Sequence, residues 1–347
     1  MPLVSLLPKP RRVLIIRLSA IGDVIHGLPV LCALREQFPD VRIAWLVEGG
    51  ASTLLEGHPA LDELIRVPRG WLRSPATVWR LCRQLREFGP DLTVDVQGLT
   101  KSAIPAWLSG ARFRIGFGCE NGRELSRWLN NIHVRSTATH IIDCNLQLLQ
   151  PLGIQRATAR FDLPERADDA WAIERIIREL GVEERFAVIN VGAGWTSKLW
   201  RMDRFAAVAR QLARKHAMPT VVVWAGPQER AWAEEVVAGG SGFAKLAPST
   251  TLTELAALVR RAALFIGSDT GPLHLAAAVG TPCVGLFGPK PAERNGPYGP
   301  GHIVLQAARP SNARRQRSST SRALMDAISV EMVCQACERI LAAKTRK

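Results

Sequence analysis

The stretch ALFIGSDTGPLHLAAAVGTPCVGLFG, residues 263–288, runs from an apolar strand through a small-residue helix into a second apolar strand. Strands that are apolar throughout and alternate with helices are typical of a parallel sheet covered on both faces. Asp269, Thr270, Gly271 and His274 lie between the first strand and the helix. Helix N-termini present backbone N–H groups at such junctions, so this one predicts an anion-binding site.

The same alternation extends along the chain in both directions. In the first half, RRVLIIRL, VRIAWLV and DLTVDVQ are predicted strands, and VIHGLPVLCALREQF and WRLCRQLREFG are predicted helices. In the second half, FAVINVG, PTVVVWAG and ALFIGS are predicted strands separated by helices, TPCVGLFG is predicted to be the last strand, and SVEMVCQACERILAAK a closing helix. The pattern predicts two doubly wound α/β domains with a ligand cleft between them, at residues 1–164 and 183–328, with a linker region at 165–182 and a helix at 329–347.

The charge balance favours anionic partners. The chain of 347 residues has a net charge of +14, with 20 basic and 14 acidic residues in 1–164 and 25 and 17 in the rest. Phosphorylated small molecules and anionic lipid headgroups fit this excess better than nucleic acid, because basic and aromatic residues do not interleave. The segment 308–322 holds five arginines and no acid. It reads either as a solvated loop or as a membrane-surface contact.

Several features indicate a cytoplasmic protein, peripheral at most to a membrane. Charged residues, glycine or proline interrupt every long apolar run, and MPLVSLLPKPRR reverses the charge order of a secretory signal. Seven scattered cysteines fit reduced thiols. Cys334 and Cys337 form a lone CxxC pair, which is a weak zinc candidate without a second ligand pair. We therefore expect no metal and no cofactor.

Polar clusters follow three further predicted strands. Asp23 in RLSAIGD could cap a helix or act as a general base. Gln97, Gly98 and Lys101 could be turn and surface residues or contacts to an anion.

The third cluster is NVGAGWTSKLW, in which Gly192 and Gly194 allow close backbone approach and Lys198 supplies charge. It has neither the Walker spacing nor the GxGxxG fingerprint, which argues against a dinucleotide enzyme.

In the opening stretch, residues 263–288, Pro272 suits the first turn of a helix, and His274 could be a structural core residue or part of the site.

As an ordered set these segments resemble the bacterial lipopolysaccharide heptosyltransferases, and heptosyltransferase I more than II. The matching pieces are VLIIRLSAIGDVIHGLP, WLVEGG, DVQGLTKSA, the loop ending in KLW, WAGPQE and SDTGPLHLAAAVGTPCVGLFGP. The resemblance implies a GT-B fold, with an N-terminal acceptor domain and a C-terminal donor domain. It implies inverting transfer of heptose from ADP-L-glycero-D-manno-heptose to a Kdo-lipid A type inner-core acceptor.

The resemblance also implies residue roles. Asp23 would be the catalytic base. Donor-binding roles fall on Lys198 at the diphosphate, Glu229 at the ribose, Asp269 at the heptose, and Thr270, Gly271 and His274 of the same motif. Ala193 and Gly194 stand where heptosyltransferase I carries a threonine pair, so Thr196 or Ser197 would have to replace those hydroxyls. Arg69, Arg73 and Lys101 are candidate contacts to the acceptor's acidic groups. There is no DxD motif, so fixed cations would serve in place of a metal.

Two other functions are weighed against this one. A nucleotide-sugar epimerase or dehydrogenase needs a glycine fingerprint and a Tyr-x-x-x-Lys pair, whereas the only tyrosine, Tyr298, lies in GPYGPG. A non-catalytic nucleotide-sugar or lipid-binding protein would keep the fold without turnover, and the presence of Asp23 and Lys198 speaks against it.

Overall fold

The computed structural model describes residues 7–118, 122–123, 125–288, 290–307 and 324–345. These residues form two compact units that divide between Pro164 and Glu165. The arginine-rich segment 308–322 lies outside the described residues.

The first unit is a parallel six-stranded sheet in the order β3-β2-β1-β4-β5-β6. Its strands are β1 Arg12–Ile16, β2 Arg42–Glu48, β3 Glu63–Val67, β4 Leu92–Asp95, β5 Phe113–Phe117 and β6 Ile132–Val134. Its helices are α1 Ile21–Gln37, α2 Pro75–Phe88, α3 Thr100–Leu108, α4 Ser126–Leu129 and α5 Ile141–Gln147. The inner faces of α2 and α3 pack on one face of the sheet, where Leu81 and Ala106 join Leu14 and Leu46 in a single core.

The second unit repeats this topology in a parallel sheet of order β12-β11-β10-β7-β8-β9. Its strands are β7 Ala187–Asn190, β8 Thr220–Val223, β9 Ala244–Leu246, β10 Leu264–Ser268, β11 Cys283–Phe287 and β12 Ile303–Gln306. Its helices are α6 Ala167–Leu180, α7 Met202–His216, α8 Gly226–Gly239, α9 Leu252–Arg261, α10 Gly271–Ala278, α11 Ala292–Asn295 and the helix Val330–Thr345. The expectation of two doubly wound parallel sheets is confirmed.

The expectation that TPCVGLFG is the last strand is wrong. That segment forms β11, but β12 follows it and pairs with it in parallel register, Val284 opposite Ile303. β12 is a four-residue edge strand whose residues are all only half-buried. Its apolar run is only Ile303 to Leu305 and follows a stretch rich in glycine and proline, and so short a run is ambiguous in a sequence, so the pattern missed it.

The strand order reverses in each sheet between its first and fourth strands, at β1/β4 and at β7/β10. Connections leave in opposite directions on the two sides of such a point, which opens a crevice beyond the carboxyl ends of the strands. The loops after β1, β4, β7 and β10 carry the four polar clusters. Strand order thus places the first two clusters together and the last two together, each pair within its own unit.

The CxxC pair belongs to the apolar core of the second unit. Cys334 and Cys337 lie on the helix Val330–Thr345 and pack with Trp200 and Phe205. Burial raises the pKa of the Cys337 thiol. Within the described ranges no three His, Cys, Asp or Glu side chains group closely enough to hold a metal ion. Among the residues that the structure describes, no helix is long and apolar enough to cross a membrane.

Candidate functional site

Asp23 is the third residue of α1, and its carboxylate has two partners. Ala20 precedes the helix and donates its backbone N–H to Oδ2 at 3.1 Å. Arg17, one residue past β1, donates Nη2 to Oδ1 at 2.7 Å. Asp23 therefore closes the first turn of α1 from inside the helix rather than as its N-cap. The Asp23 side chain is 44% exposed. Each of its two oxygens therefore has a further lone pair that solvent or a ligand can reach.

Arg17 is held by the neighbouring strand's loop. Its side chain is only 9% exposed, and Nη1 donates to the carbonyl of Val96 at 2.7 Å. Gln97 adds a second tie between the two loops, because its Oε1 accepts the backbone N–H of Leu18 at 2.8 Å. The loop after β4 thus fixes both the guanidinium that contacts Asp23 and the backbone leading to α1.

The loop after β4 is itself organised by a buried carboxylate. Asp95 Oδ1 accepts the backbone N–H groups of Gln97 and Gly98 at 3.1 and 3.0 Å, and Oδ2 accepts Asn130 Nδ2 at 3.2 Å. Burial raises the pKa of Asp95, while its N–H and hydroxyl donors oppose that rise. Asp95 is fully buried, so its part is to shape the turn.

Lys101 is paired inside the first unit. Its Nζ lies 2.6 Å from Oε2 of Glu48, the last residue of β2, and Glu48 also accepts the backbone N–H of Gly70 at 3.2 Å. The Glu48 side chain is 4% exposed and the Lys101 side chain 33%. Arg69 and Arg73, by contrast, are exposed on the loop after β3. Of the three candidate acceptor contacts, these two present their charge directly to solvent.

In the second unit, the loops after β7 and β10 meet through an ion pair. Lys198 Nζ lies 2.5 Å from Oδ2 of Asp269 and donates to the backbone carbonyl of Asp269 at 3.0 Å. His274 Nε2 lies 3.3 Å from Oδ1 of the same carboxylate. All three side chains are about nine-tenths buried or more. Burial raises the pKa of Asp269, but hydrogen bonds from His274 and Lys198 outweigh it and lower the pKa to about 2.

The ion pair lies beside the N-terminus of α10. Thr270 is the N-cap residue, and Pro272 occupies the first turn, where its missing N–H costs no hydrogen bond. The Thr270 hydroxyl donates to the Ser268 carbonyl at 3.1 Å and accepts Asn190 Nδ2 at 3.3 Å. The Thr270 side chain makes no capping hydrogen bond to this helix start, whose first backbone N–H groups, from Gly271 onward, form the positive end of the helix dipole.

Glu229 lies against the loop after β7. Its Oε2 accepts the backbone N–H of Ala225 at 2.8 Å at the start of α8. A Cβ on Gly192 would stand 2.4 Å from Glu229 Oε1, so a larger residue at this position would push the carboxylate aside. Burial raises the pKa of Glu229, and the Ala225 N–H partly offsets that rise. Glu229 in the first turn of α8, Lys198 and the start of α10 thus follow three adjacent strands, β8, β7 and β10.

The rest of the loop after β7 is open to solvent. Thr196 is exposed and Ser197 half-buried, in a short 3-10 turn that ends at Lys198. A Cβ on Gly194 would meet nothing within 4 Å. Among these hydroxyls, Ser197 lies next to Lys198 in the chain.

Three contributing residues escaped the sequence reasoning. In the sequence, Arg17 was assigned only to the end of the strand RRVLIIRL, and Asn190 only to the strand FAVINVG. Glu48 was noted only as part of the segment WLVEGG. Each is the last residue of a parallel strand or the first after it; Arg17 and Asn190 lie at the ends of strands at the strand-order reversals, and Glu48 ends β2, the neighbour of β1. That position is the signal that could have identified them.

Chemically, the two units offer complementary groups. The first presents a partly exposed carboxylate that can accept a proton. The second presents an ammonium group and a helix N-terminus that can stabilise a developing anion, with two carboxylates nearby that can accept hydroxyl donors.

Comparison with known proteins adds to this geometry. The profile of glycosyltransferase family 9 (heptosyltransferase) matches residues 78–324. The lipopolysaccharide heptosyltransferase 1 of Pseudomonas aeruginosa is 29% identical over 303 residues, covering 85% of this chain and 83% of that protein. The lipopolysaccharide heptosyltransferase 3 of Escherichia coli K12 is 30% identical over 277 residues, covering 77% and 79%. The solved structure of E. coli heptosyltransferase WaaC with ADP matches with a TM-score of 0.77 and 22% identity, covering 95% and 99%.

The match to WaaC spans both units and confirms the GT-B fold. The family profile contains Lys198, Glu229 and the Asp269 motif, whereas Asp23 precedes its first matched residue. The profile covers more than half of the sequence, and two heptosyltransferases from different bacteria match most of its length. The chain therefore belongs to glycosyltransferase family 9, the heptosyltransferase family, and is a glycosyltransferase.

Proposed function

We propose that this enzyme transfers heptose from ADP-L-glycero-D-manno-heptose to a Kdo-lipid A type acceptor during assembly of the lipopolysaccharide core, with inversion at the anomeric carbon. The ADP in the WaaC structure and the lipopolysaccharide substrates named for the two relatives support this choice. The observation that carries the proposal is the buried Lys198–Asp269 pair beside the N-terminus of α10.

The leaving diphosphate gains negative charge as the bond to the sugar breaks. Lys198 and the first N–H groups of α10 supply fixed positive electrostatics for it, in a place largely shielded from water. The diphosphate would compete with Asp269 for the ammonium group. His274 would still contact Oδ1 when Lys198 turns to phosphate, and this contact would help keep Asp269 ionised and able to accept hydrogen bonds from heptose hydroxyls.

Asp23 would take the proton of the attacking hydroxyl. The acceptor oxygen forms a bond to the anomeric carbon as the carbon–oxygen bond to diphosphate breaks on the opposite face, and the hydroxyl proton passes to the carboxylate. Arg17 and Ala20 occupy one lone-pair direction on each oxygen, which leaves further acceptor positions for the substrate.

The remaining groups would bind the ends of the two substrates. Glu229 would accept hydrogen bonds from the ribose hydroxyls, and Thr196 or Ser197 would add hydroxyls at the phosphates. Arg69 and Arg73 would meet the acceptor's carboxylates and phosphates. Lys101 would serve only by exchanging its bond to Glu48.

Incubating the purified protein with ADP- and UDP-linked sugars and a lipid A type acceptor tests the substrates. ADP release and a new glycolipid are expected only with ADP-heptose. Nuclear magnetic resonance of the product gives the anomeric configuration. Faster turnover with a UDP-sugar, or retention of configuration, would contradict the proposal.

Asp23→Asn tests the base. We expect transfer to fall by about a thousandfold, within the range for loss of general-base catalysis, while ADP affinity stays unchanged. Asp203→Asn is the matched control, because Asp203 is also an aspartate in the first turn of a helix and pairs with the preceding Arg201. Near-normal turnover in Asp23→Asn would refute the assignment. ADP-heptose binding without turnover in the wild type would favour a non-catalytic binding protein instead.

A further inference from the structure

The first unit exposes several large apolar side chains. They are Leu72, Trp79, Trp107, Leu125 and Trp128, of which the three tryptophans are 62%, 57% and 82% exposed. All lie within 57 residues of sequence, on or directly before α2, α3 and α4. We name the outer surface of these three helices the tryptophan face. Single exposed apolar residues are normal on proteins, but three exposed tryptophans on successive helices are not.

The three helices lie side by side. Arg86 of α2 donates Nε to the carbonyl of Leu108 at the end of α3, at 3.4 Å. At the other end of α3, the Thr100 hydroxyl accepts the backbone N–H of Leu125 at 3.1 Å, directly before α4. The helices therefore form one continuous layer.

Trp79 points away from the protein core. Leu81, Leu85 and Phe88 of α2 are buried against the sheet. Trp79 lies two and nine positions from Leu81 and Phe88, which turns it to the opposite side of a helix with about 3.6 residues per turn. The other two tryptophans are exposed to a similar degree or more.

The same part of the chain is strongly basic. Residues 66–135 contain 12 lysines and arginines against five aspartates and glutamates, which is half of the net charge of +14 in a fifth of the sequence. Exposed arginines accompany the tryptophans, namely Arg69, Arg73, Arg80, Arg83, Arg86, Arg112, Arg123 and Arg127. A second copy of this chain would bring like charges together, so the charge favours an anionic partner.

One crevice on the tryptophan face combines an exposed aromatic ring with basic side chains. It has a volume of about 420 Å³ and is lined by Trp79, Cys82, Arg83, Arg86 and Glu87. The Arg83 guanidinium stacks over the Trp79 ring at 5.0 Å from its centroid. An amphipathic ring beside a guanidinium suits the boundary between acyl chains and phosphate headgroups, where tryptophan is enriched.

We propose that the tryptophan face docks the enzyme on an anionic lipid bilayer, with Trp79, Trp107 and Trp128 entering the interface and the arginines binding lipid phosphates. The inference rests on the proposed function in one respect, since a glycolipid acceptor would lie in such a bilayer. It gives the chain a membrane-binding surface within the described residues, independent of the segment 308–322.

Sedimentation with mixed phosphatidylglycerol and phosphatidylethanolamine vesicles, without glycolipid, tests the surface. The wild type sediments with these vesicles and much less with phosphatidylcholine vesicles, and added salt weakens the binding. The variant Trp79→Ser/Trp107→Ser/Trp128→Ser binds at least about tenfold more weakly, because burying an aromatic ring contributes about that much. Arg80→Gln/Arg83→Gln loses about fivefold per arginine near a charged surface.

Matched controls come from the second unit. Trp171 on α6 is 72% exposed, and Arg175 on the same helix has a side chain that is also 72% exposed. Trp171→Ser and Arg175→Gln should bind vesicles as the wild type does. Unchanged thermal unfolding of all variants shows that they fold. Equal binding by the wild type and the triple tryptophan variant, or no wild-type binding, would overturn the proposal.

A water-soluble, deacylated acceptor separates this proposal from the proposed function. The triple tryptophan variant should transfer heptose to it at the wild-type rate, since none of the three tryptophans is assigned to catalysis. A wild-type enzyme that sediments with vesicles but transfers to neither acceptor would refute the proposed function and support the lipid surface.

Discussion

At the scale of single residues, Arg17 fixes the position of Asp23. Its guanidinium bridges the carbonyl of Val96 and the carboxylate of Asp23, both at 2.7 Å, from a side chain that is 9% exposed. A base must lie within hydrogen-bond reach of the proton it removes, and a small displacement of the carboxylate slows transfer without weakening donor binding.

Arg17→Ala should therefore lower kcat by about tenfold to a hundredfold and leave ADP affinity unchanged, as expected when a positioned group shifts by about an ångström. Arg17→Lys should restore part of kcat, since an ammonium group can keep one of the two bonds. Arg201→Ala removes an equivalent partner from Asp203 and should leave kcat unchanged. Steady-state kinetics and titration with ADP measure both quantities, and equal loss in Arg17→Ala and Arg201→Ala would contradict the role.

Asp269 links pH to the stability of the second unit. Its pKa falls from 3.8 to about 2, so the folded form gains stability from the ionised carboxylate. For a depressed carboxyl pKa, that stability is present above the unfolded value near pH 4 and is lost as the pH falls towards 2. The shift corresponds to roughly 2 kcal/mol in the free energy of unfolding.

Asp269→Asn should consequently remove that part of the acid dependence. Denaturant unfolding at several pH values between about 2 and 5 measures this dependence. The readout is the slope of the free energy of unfolding against pH, not the stability at any one pH. An identical slope in wild type and variant would show that Lys198 and His274 do not lower the pKa of Asp269.

At the scale of elements, the loop after β7 and the start of α8 meet at a glycine. Gly192 leaves room for Glu229, whose Oε1 would lie 2.4 Å from a Cβ at that position. Two residues on, Gly194 has open space around it. Comparing alanine substitutions at Gly192 and Gly194 therefore separates the effect of contact with Glu229 from the effect of a stiffer loop.

Gly192→Ala should displace the Glu229 carboxylate and weaken ADP binding by about tenfold or more, the usual cost of losing a hydrogen bond to a charged group. Gly194→Ala should bind ADP within about twofold of the wild type. Isothermal titration measures both affinities. Equal affinities in the two variants would remove Glu229 from the nucleotide site.

At the scale of the whole molecule, two units of the same topology carry different chemistry. The base candidate lies in the unit that ends at Pro164, and the candidate donor-binding groups lie in the unit that begins at Glu165. A ligand that binds only the native form stabilises the part of the protein that holds it.

ADP at a hundred times its dissociation constant should stabilise the second unit by about 2.7 kcal/mol. Hydrogen exchange followed by mass spectrometry should show new protection in the loops after β7, β8 and β10. The loops after β1 and β4 should exchange at the unliganded rate. Protection confined to the first unit would reverse the assignment of donor and acceptor units.

Strands and site residues could be predicted from the sequence where neighbouring residues alone mark them. Buried parallel strands such as β1 and β10 are continuous apolar runs, so their existence and type follow from a few adjacent residues. The polar clusters that follow them, from Asp23 to His274, were found for the same reason. β12 was missed because its apolar run is only three residues long. Arg17 was passed over because it links Asp23 to the carbonyl of Val96, which lies 79 residues away in the sequence.

The amino-acid sequence alone determined the alternation of strands and helices, the doubly wound class, and the family, because apolar periodicity and short motifs are properties of neighbouring residues. Only the tertiary structure decided which polar groups pair. Lys198 meets Asp269 across 71 residues, and Lys101 meets Glu48 across 53. It also decided which tryptophans stay exposed. The physical reason is that these contacts arise from strand order and helix packing, which bring distant positions together without any local mark in the chain.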